Sequence, residues 1–347
     1  MRTTLRRPAT RLRWLVEASA VAVLGLALLC YLLAIAFPQR HGLLALLPIF
    51  LPYLGLLPLV LLPLALWPGA RLVRLALLVG GVLWGALFGP GLVAFPAPAP
   101  PGALRLSAAS WNVLQDNHDL ERLLEGIRGA NADLIVLHEL AEPQQAAIVT
   151  DPSLLARYRW RILVPSDRYL GVGLLSAYPM SDAGSREFPP MVWGRVEIGG
   201  RSLLVVGAHP LPGQIGWLHV GEQALPISFN SVGRDLQVER VLTAVAALRR
   251  PGEPVLLMGD FNLTEREPIY RELTTQFVDA KRVAGPGFQH TWKPWFLLAA
   301  PFALLRIDYL FVSPDVQPLT FTTDCRPFGS DHCLVRGEFA LGRPAVS

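Results

Sequence analysis

Pro254-Val255-Leu256-Leu257-Met258 runs straight into Gly259-Asp260-Phe261-Asn262, and the reading of these nine residues decides the fold. A short Val- and Leu-rich run, closed by glycine and then by acid and amide groups, reads as a buried strand. Such a strand delivers polar side chains at its carboxyl end. In an extended chain Asp260 and Asn262 are two apart and point to one face. A carboxylate beside an amide donor suits the hydrolysis of a phosphate ester. Taken alone, the last four residues also read as a β-turn whose Asp and Asn serve the local backbone, so the rest of the chain has to decide.

With 347 residues, the chain has room for a membrane segment and one domain of ordinary size. It is 52% hydrophobic and only 17% charged, a charged share below that of soluble domains. The apolar excess sits in residues 14–95. A formal charge of +4 invites a nucleic-acid reading, but the charge is unevenly placed. Residues 1–102 carry eight Arg against one acid, Glu17, a balance of +7. Residues 103–347 carry 23 basic and 26 acidic residues, a balance of −3. A mildly acidic domain is a poor electrostatic match for tight, sequence-independent DNA binding. Of the three cysteines, Cys30 lies in an apolar segment. Cys325 and Cys333 either close a short disulfide loop in an oxidising compartment or remain two thiols, since spacing alone fixes no geometry. Nothing resembles a zinc site.

Arg2, Arg6, Arg7, Arg11 and Arg13 precede the apolar run Ala18–Phe37. That run is long enough to cross a bilayer as a helix and too long for a signal-peptide core. Gly42–Trp67 is a second span, interrupted by Pro48, Pro52, Pro58 and Pro63, which membrane helices tolerate when neighbours satisfy the freed carbonyls. Leu72–Phe95 is a third, with Gly80, Gly81 and Gly85 offering a close-packing face. The positive-inside bias puts the N-terminus in the cytoplasm, together with the connection holding Arg71 and Arg74. Residues 1–95 are therefore expected to form a transmembrane anchor of three helices, with everything after Phe95 extracytoplasmic. A re-entrant second run would leave two crossings and place the remainder inside.

Residues 96–103 form a stiff, Pro-rich linker, and a domain is expected over 104–347. Strands are predicted at Leu104–Val113, Asp133–His138, 158–164, 171–177, 191–198, 202–208, 254–258, 305–312, 318–323 and 333–339. A helix is predicted at Asp119–Gly129. A second, over 235–249, carries Val238, Val241, Leu242, Val245 and Leu248 on one stripe. Many strands with few helices point to an α/β fold, a four-layer sandwich of two packed mixed sheets flanked by helices.

Polar residues recur at the ends of these runs. Asn112, Glu139 and His209 each close an apolar strand, Asp308 lies within Arg306-Ile307-Asp308-Tyr309, and Asp331-His332 precede the last strand. An unpaired acid or imidazole in such a place is costly to bury. Singly, Glu139 reads as a surface acid and His209 as a satisfied core histidine. Meeting at one rim, these groups would justify one another by sharing a metal and a phosphate.

In this order the motifs resemble the endonuclease/exonuclease/phosphatase superfamily, with its deoxyribonuclease-I-like fold, over roughly residues 104–340. The matching stretches are Ser110-Trp111-Asn112-Val113, Leu137-His138-Glu139, Tyr169 to Ser176, Gly207-Ala208-His209, Gly259 to Asn262, Thr291-Trp292, Arg306 to Tyr309 and Gly329-Ser330-Asp331-His332. The chain looks most like bacterial membrane-anchored members, which would sit in the inner membrane. The resemblance implies a divalent-metal phosphoesterase. Glu139 would be the principal Mg²⁺ ligand, aided by Asn112 and Asp331, and Mn²⁺ would suit the same oxygen set. Asp260 would orient or deprotonate the attacking water, with Asn262 holding it or a phosphate oxygen. His332, oriented by Asp308, would contact the phosphate. His209 would stabilise the pentacovalent state or assist the leaving group, and Tyr169 would donate to a phosphoryl oxygen. One departure is His138, where the family usually carries Gln, and it puts the geometry behind Glu139 in question. Asp116 and Asn117 read as turn residues rather than as part of the site.

Two segments beside these motifs are unusually apolar: Leu211–Phe229, with Ile215, Trp217 and Leu218, and Trp292–Leu305, with Trp295, Phe296, Leu297, Leu298 and Phe302. Either they pack as ordinary core or they touch the bilayer. The second reading makes the substrate a phospholipid or lipid-linked phosphodiester. The competing readings are an extracytoplasmic nuclease on DNA or RNA, and a non-catalytic binding module. No obligate protein partner is evident.

Overall fold

The structure is a computed structural model, and it describes residues 8–67, 70–221, 223–294, 298 and 300–342. Arg2, Arg6 and Arg7 of the basic N-terminus lie outside the described residues, as do Trp295, Phe296 and Leu297 of the second apolar segment. The chain divides into two compact units. One comprises residues up to Pro90 together with Gln214–Asn230, and the other comprises Gly91–Gly213 and Ser231 onward.

The first unit opens with helix α1 (Pro8–Ala36) and turns through a short strand β1 (His41–Gly42). It continues through α2 (Leu46–Leu54) and α3 (Leu62–Ala65) to α4 (Arg71–Phe88). Two stretches are long and apolar enough to cross a membrane, Trp14–Ala36 and Arg71–Gly91. The pair Leu43–Leu54 and Leu57–Ala65, bent by 50°, passes the same test together. The carbonyl of Pro52, in the last turn of α2, accepts the Trp84 indole N–H at 2.9 Å, so α4 supplies a donor to one of the carbonyls at that helix end. Only one of the three α4 glycines packs closely. A Cβ at Gly80 would meet Pro58 Cγ at 2.9 Å, whereas nothing lies within 4 Å at Gly81 or Gly85.

The second unit runs through β2 (Leu104–Asn112), α5 (Leu120–Ala130), β3 (Leu134–His138), α6 (Glu142–Thr150), α7 (Pro152–Arg157), β4 (Trp160–Val164) and β5 (Val172–Ser176). It goes on through β6 (Met180–Arg186), β7 (Met191–Ile198) and β8 (Arg201–Ala208). There the chain leaves as a hairpin, β9 (Gln214–Val220) and β10 (Gln223–Asn230), which pairs with β1 in the first unit. It returns as α8 (Val232–Leu248), β11 (Val255–Asp260), α9 (Pro268–Gln276), β12 (Val278–Asp279), α10 (Ala280–Ala284), β13 (Asp308–Val312), β14 (Val316–Asp324) and β15 (Leu334–Leu341).

Two six-stranded sheets result, ordered β14-β15-β2-β3-β5-β4 and β12-β13-β11-β8-β7-β6. Both are mixed: β2 and β3 are parallel, as are β8 and β11, while the remaining neighbours are antiparallel. The central strand explains its own sequence. Leu256 and Met258 pack between the sheets with Val136, Leu174, Val205 and Leu310. Val255 and Leu257 face the other way, onto Val238, Val241 and Val245 of α8. A strand covered on both faces reads as continuous apolar sequence rather than alternation. On the opposite side, Leu123 and Ile127 of α5 cover Trp111, Ile135 and Leu175. The layers are therefore helix, sheet, sheet, helix, the expected sandwich. Each such aliphatic side chain contributes roughly 1.5–3 kcal/mol on full burial.

The expected strands are present with shifts of one to three residues at their ends. Strand β6 and helices α6, α7, α9 and α10 were not foreseen, and Leu211–Phe229 holds a hairpin rather than a loop. The hairpin was missed because Gly216, Pro226 and apolar residues on both faces hide the period-two signal. The linker is also less free than its composition suggests. Gln317 Nε2 donates to the carbonyls of Ala97 (2.7 Å) and Pro98 (3.2 Å), and, ahead of the linker, Lys281 Nζ donates to Gly91 O at 2.6 Å.

Candidate active site

Because β2 and β3 run parallel, as do β8 and β11, their carboxyl ends present Asn112, His138-Glu139, Ala208-His209 and Asp260 to one rim of the sandwich. Strand β13 begins there with Asp308, directly opposite Asp260 in the antiparallel register. The close approach of β11 to β8 needs glycine. A Cβ at Gly259 would stand 1.9 Å from the carbonyl oxygen of Ala208. Gly259 thus lets Asp260 lie beside His209, which is why the central motif reads Gly-Asp rather than any other pair.

Ligand atoms of Glu139, His209 and Asp260 lie within 4.8 Å of one another, and those of Asp260, Asp308 and His332 do likewise. The two groups share Asp260. Asn112 bridges the carboxylates, its Nδ2 donating to Glu139 Oε1 at 2.8 Å and to Asp260 Oδ2 at 3.1 Å. His209 Nε2 stands 3.6 Å from Glu139 Oε1 and 3.5 Å from Asp260 Oδ2. The Asn262 backbone N–H donates to Asp260 Oδ1 at 2.9 Å, and its side-chain amide donates to Pro210 O at 3.1 Å. Asn262 and Glu139 take positive φ, 52° and 55°, so both side chains are aimed by backbone that folds sharply out of the strand. The strand end and the turn are both real here, and the turn is the means by which the strand end is shaped.

His332 Nδ1 lies 2.9 Å from Asp308 Oδ2, and its Nε2 lies 3.7 Å from Asp260 Oδ2. The Ser330 hydroxyl ties this segment to the first motif, donating to Asn112 O at 2.7 Å and accepting from His332 N at 3.0 Å. Gly329 permits the turn, with φ +88° and Asn117 Oδ1 only 2.2 Å from where its Cβ would be. The disulfide Cys325–Cys333 closes the same loop.

The charges sort themselves. Burial opposes a charged His332, but Asp308 and then Asp260 outweigh it and hold the imidazole well above its ordinary value. His209 is raised in the same way, by Asp260 and then Glu139 against its burial. Burial would raise Asp260, yet the two imidazoles pull it below the usual carboxylate range. Asp308 goes up, because its burial outweighs the help of His332. His138 is pushed down to about 3 by burial, aided by His209. It is a neutral ring, its Nε2 3.2 Å from Ser110 Oγ and its centroid 5.7 Å from that of His209. The departure from Gln therefore places a neutral polar ring behind the site and leaves Glu139 free to face it.

Two expected residues stand apart. Tyr169 lies on the exposed rim, its hydroxyl donating to Asp116 Oδ2 at 2.9 Å and its N–H paired with Gln115 Oε1. Asp116 is a turn residue, as expected, and is also Tyr169's partner. Asp331 belongs to neither close group: Oδ2 accepts from the Trp292 indole at 3.2 Å, while the buried Oδ1 has no hydrogen-bond partner among the described residues. Sequence reading missed Arg234. It is buried in α8, where it donates to Asn262 O at 2.6 Å, to Asp235 Oδ1 at 2.7 Å and to Glu267 Oε2 at 2.6 Å. The charged pair Arg234-Asp235 within an otherwise apolar helical stripe was the available signal. A cleft of about 640 Å³ flanks the loops that follow Asn112 and Glu139. Its lining includes Gln115, Asp116, His118, Glu142 and Asp167.

The profile of the Endonuclease/Exonuclease/phosphatase family matches residues 109–332. The chain belongs to this family. Its members hydrolyse phosphoester bonds. Solved structures of the same fold include a humanized D. rerio TDP2, at 20% identity and TM-score 0.53 over 68% of this chain and 98% of that one. D. rerio TDP2 complexed with single-strand DNA product follows at 18%, 0.51, 68% and 98%. A family protein from Bacteroides vulgatus gives 19%, 0.52, 68% and 99%. No curated protein sequence matches the chain.

Proposed function

We propose that the second unit is a divalent-metal-dependent phosphodiesterase that cleaves by in-line attack of water, and that the first unit anchors it in the inner membrane with the catalytic unit extracytoplasmic. The observation that carries the reading is the shared position of Asp260, a member of both the Glu139–His209 group and the Asp308–His332 group. Oxygen donors of this kind fit Mg²⁺, with Mn²⁺ as the chemical alternative. Glu139 and Asn112 would hold the ion, and the unpartnered Oδ1 of Asp331 is available to it or to its water shell. When bound, the ion offsets negative charge on the phosphoryl oxygens.

The chain's own groups do the rest. Asp260 is held ionised by two imidazoles, which makes it a weak proton acceptor and a strong hydrogen-bond acceptor. It therefore orients the water more than it deprotonates it. Asn262, fixed by Arg234 and Pro210, limits where that water sits. His332, kept cationic by Asp308, meets a phosphoryl oxygen, and His209, whose charged form Asp260 and Glu139 favour against its burial, faces the leaving side. Tyr169, once released from Asp116, donates from the rim.

The cleft beside the site offers acids Asp116, Glu142 and Asp167 and, among its lining residues, only His118 as a basic group. Together with the −3 balance of residues 103–347, this favours a phosphodiester with a polar head group, such as a lipid, over a long nucleic acid. The D. rerio TDP2 complex with single-strand DNA product keeps the nuclease reading as the comparison arm. Purified full chain with Mg²⁺ is expected to cleave a soluble aryl phosphodiester. EDTA should abolish turnover, and Glu139→Gln and Asp260→Asn should each lower it at least about 100-fold. Phospholipid vesicles should be cleaved faster than plasmid DNA. Absence of any diesterase activity with Mg²⁺ or Mn²⁺ defeats the proposal, and faster cleavage of DNA defeats its lipid half.

A further inference from the structure

Strand β1 occupies the short connection between α1, which ends at Ala36, and the bent helical pair that begins at Leu43. Among the described residues its one strand partner is β10: His41 pairs with Asn230 and Gly42 with Phe229. The hairpin β9–β10 is in turn an insertion between β8 and α8, joined to His209 by the four residues Pro210–Gly213. The hairpin, which continues the His209 strand in sequence, is therefore paired with the connection that follows the first helix. An open strand ladder cannot lie across hydrocarbon, because its edge groups would go unsatisfied. Strand β1 and the hairpin must then lie on one side of the bilayer, and the chain that enters and leaves the hairpin at Gly213 and Ser231 starts and ends the catalytic segments on that side.

That requirement counts the crossings. Between β1 and Gly91 lie the bent pair and α4, and the chain must return to the side it left. If α4 crosses, the bent pair crosses too. The re-entrant alternative would put the catalytic unit opposite β1 and break the ladder. Arginines at the N-terminus place that shared side away from the cytoplasm, where the Cys325–Cys333 disulfide also persists.

The hairpin's composition suits the position. Ile215, Trp217, Leu218, Leu225 and Ile227 are each 44–49% exposed. Cross-strand pairing puts Trp217 beside Pro226 and Leu218 beside Leu225 on successive rungs, so apolar groups occupy both faces. Water is a poor solvent for such a hairpin, whereas the head-group layer at the end of a spanning helix accepts Trp and aliphatic side chains.

We infer that Gln214–Asn230 is a membrane-seated hairpin that lies in the outer lipid interface and locks the chain into three crossings. The inference rests on the reading of the first unit as a membrane anchor, and it extends the proposed function by seating in lipid the hairpin that follows the His209 strand in sequence. It is tested in the full chain, in a Cys30→Ser background, without reference to activity. His41→Cys and Ser185→Cys are labelled in intact bacterial cells with a membrane-impermeant maleimide. Gln39→Cys replaces the first if that variant does not accumulate.

Both sites are expected to react without permeabilisation. Reaction at residue 41 alone means two crossings and overturns the inference, and reaction at neither overturns the sidedness. In vesicles of brominated phosphatidylcholine, the full chain should lose more tryptophan emission than Trp217→Phe does. Equal loss removes the hairpin from the lipid. A chain that labels and quenches as expected yet cleaves no diester would sink the enzymatic proposal and leave this one standing.

Discussion

Nδ1 of His332 stands 2.9 Å from Oδ2 of Asp308, and both side chains are buried. The carboxylate fixes the ring so that Nε2 faces Asp260, and it is the largest influence keeping the imidazole charged against its burial. Asp308→Asn preserves the shape and removes the charge. Burial is then opposed chiefly by Asp260 alone, and the His332 pKa falls. Activity is expected to drop roughly 10²- to 10⁴-fold, as when the acid that orients a catalytic imidazole is neutralised. The alkaline limb of the kcat/KM profile should move to lower pH. A loss of rate with an unmoved alkaline limb would reduce Asp308 to a packing group.

His138 makes the opposite case. In the folded chain it titrates near 3, against 6.5 ordinarily. As pH falls below about 6.5, the unfolded chain takes up a proton that the folded chain refuses. The stability tied to the neutral ring is thus complete above about 6.5 and is lost progressively toward 3. His138→Gln removes this titration and keeps a hydrogen-bonding group opposite Ser110. At pH 5 the variant should recover roughly 2 kcal/mol relative to its own value at pH 7, compared with the unsubstituted chain. Parallel denaturant curves for the two proteins at both pH values would show the ring to be titrating freely.

What the sequence carried, and what it did not, follows from range. Strand ends such as Asn112, Glu139 and Asp260 were legible because a polar residue closing a buried apolar run has few reasons to be there. The sandwich was legible for the same reason, since β11 is apolar on both faces. Nothing local announced that Tyr169 would be engaged with Asp116, because that bond spans 53 residues and joins two exposed side chains. The seat of Arg234 depends on Asn262 and Glu267, about 30 positions away. The β1–β10 ladder joins residues nearly 190 apart through two opposed residue pairs, a pairing no periodicity can encode.

The Cys325–Cys333 bond encloses Gly329, Ser330, Asp331 and His332. Closing so short a loop stabilises the folded state by roughly 2–3 kcal/mol through the unfolded chain. Cys325→Ser/Cys333→Ser should lower the melting temperature by about 5–10 °C, the conversion appropriate to a unit of this size. Because Ser330 also ties the loop to Asn112, the pair should lose kcat more than KM. Thermal unfolding and steady-state kinetics with and without dithiothreitol check both. An unchanged melting point after complete reduction would refute the clamp.

Arg234 supplies the remaining prediction. Its guanidinium is buried between Asp235 and Glu267 and donates to the carbonyl of Asn262. Truncating one member of a buried ionic group leaves the others uncompensated, at a cost of roughly 3–5 kcal/mol. Arg234→Met is expected to fall in that range. Arg234→Lys keeps the charge but cannot serve two carboxylates and a carbonyl in one planar fork. It should lose less stability, yet still let Asn262 drift from the water it places, with kcat down about tenfold and KM nearly unchanged. Denaturant melts separate the first effect and initial rates on a soluble diester the second. If Arg234→Lys matched the unsubstituted chain in kcat, the link from α8 to Asn262 would serve the fold alone.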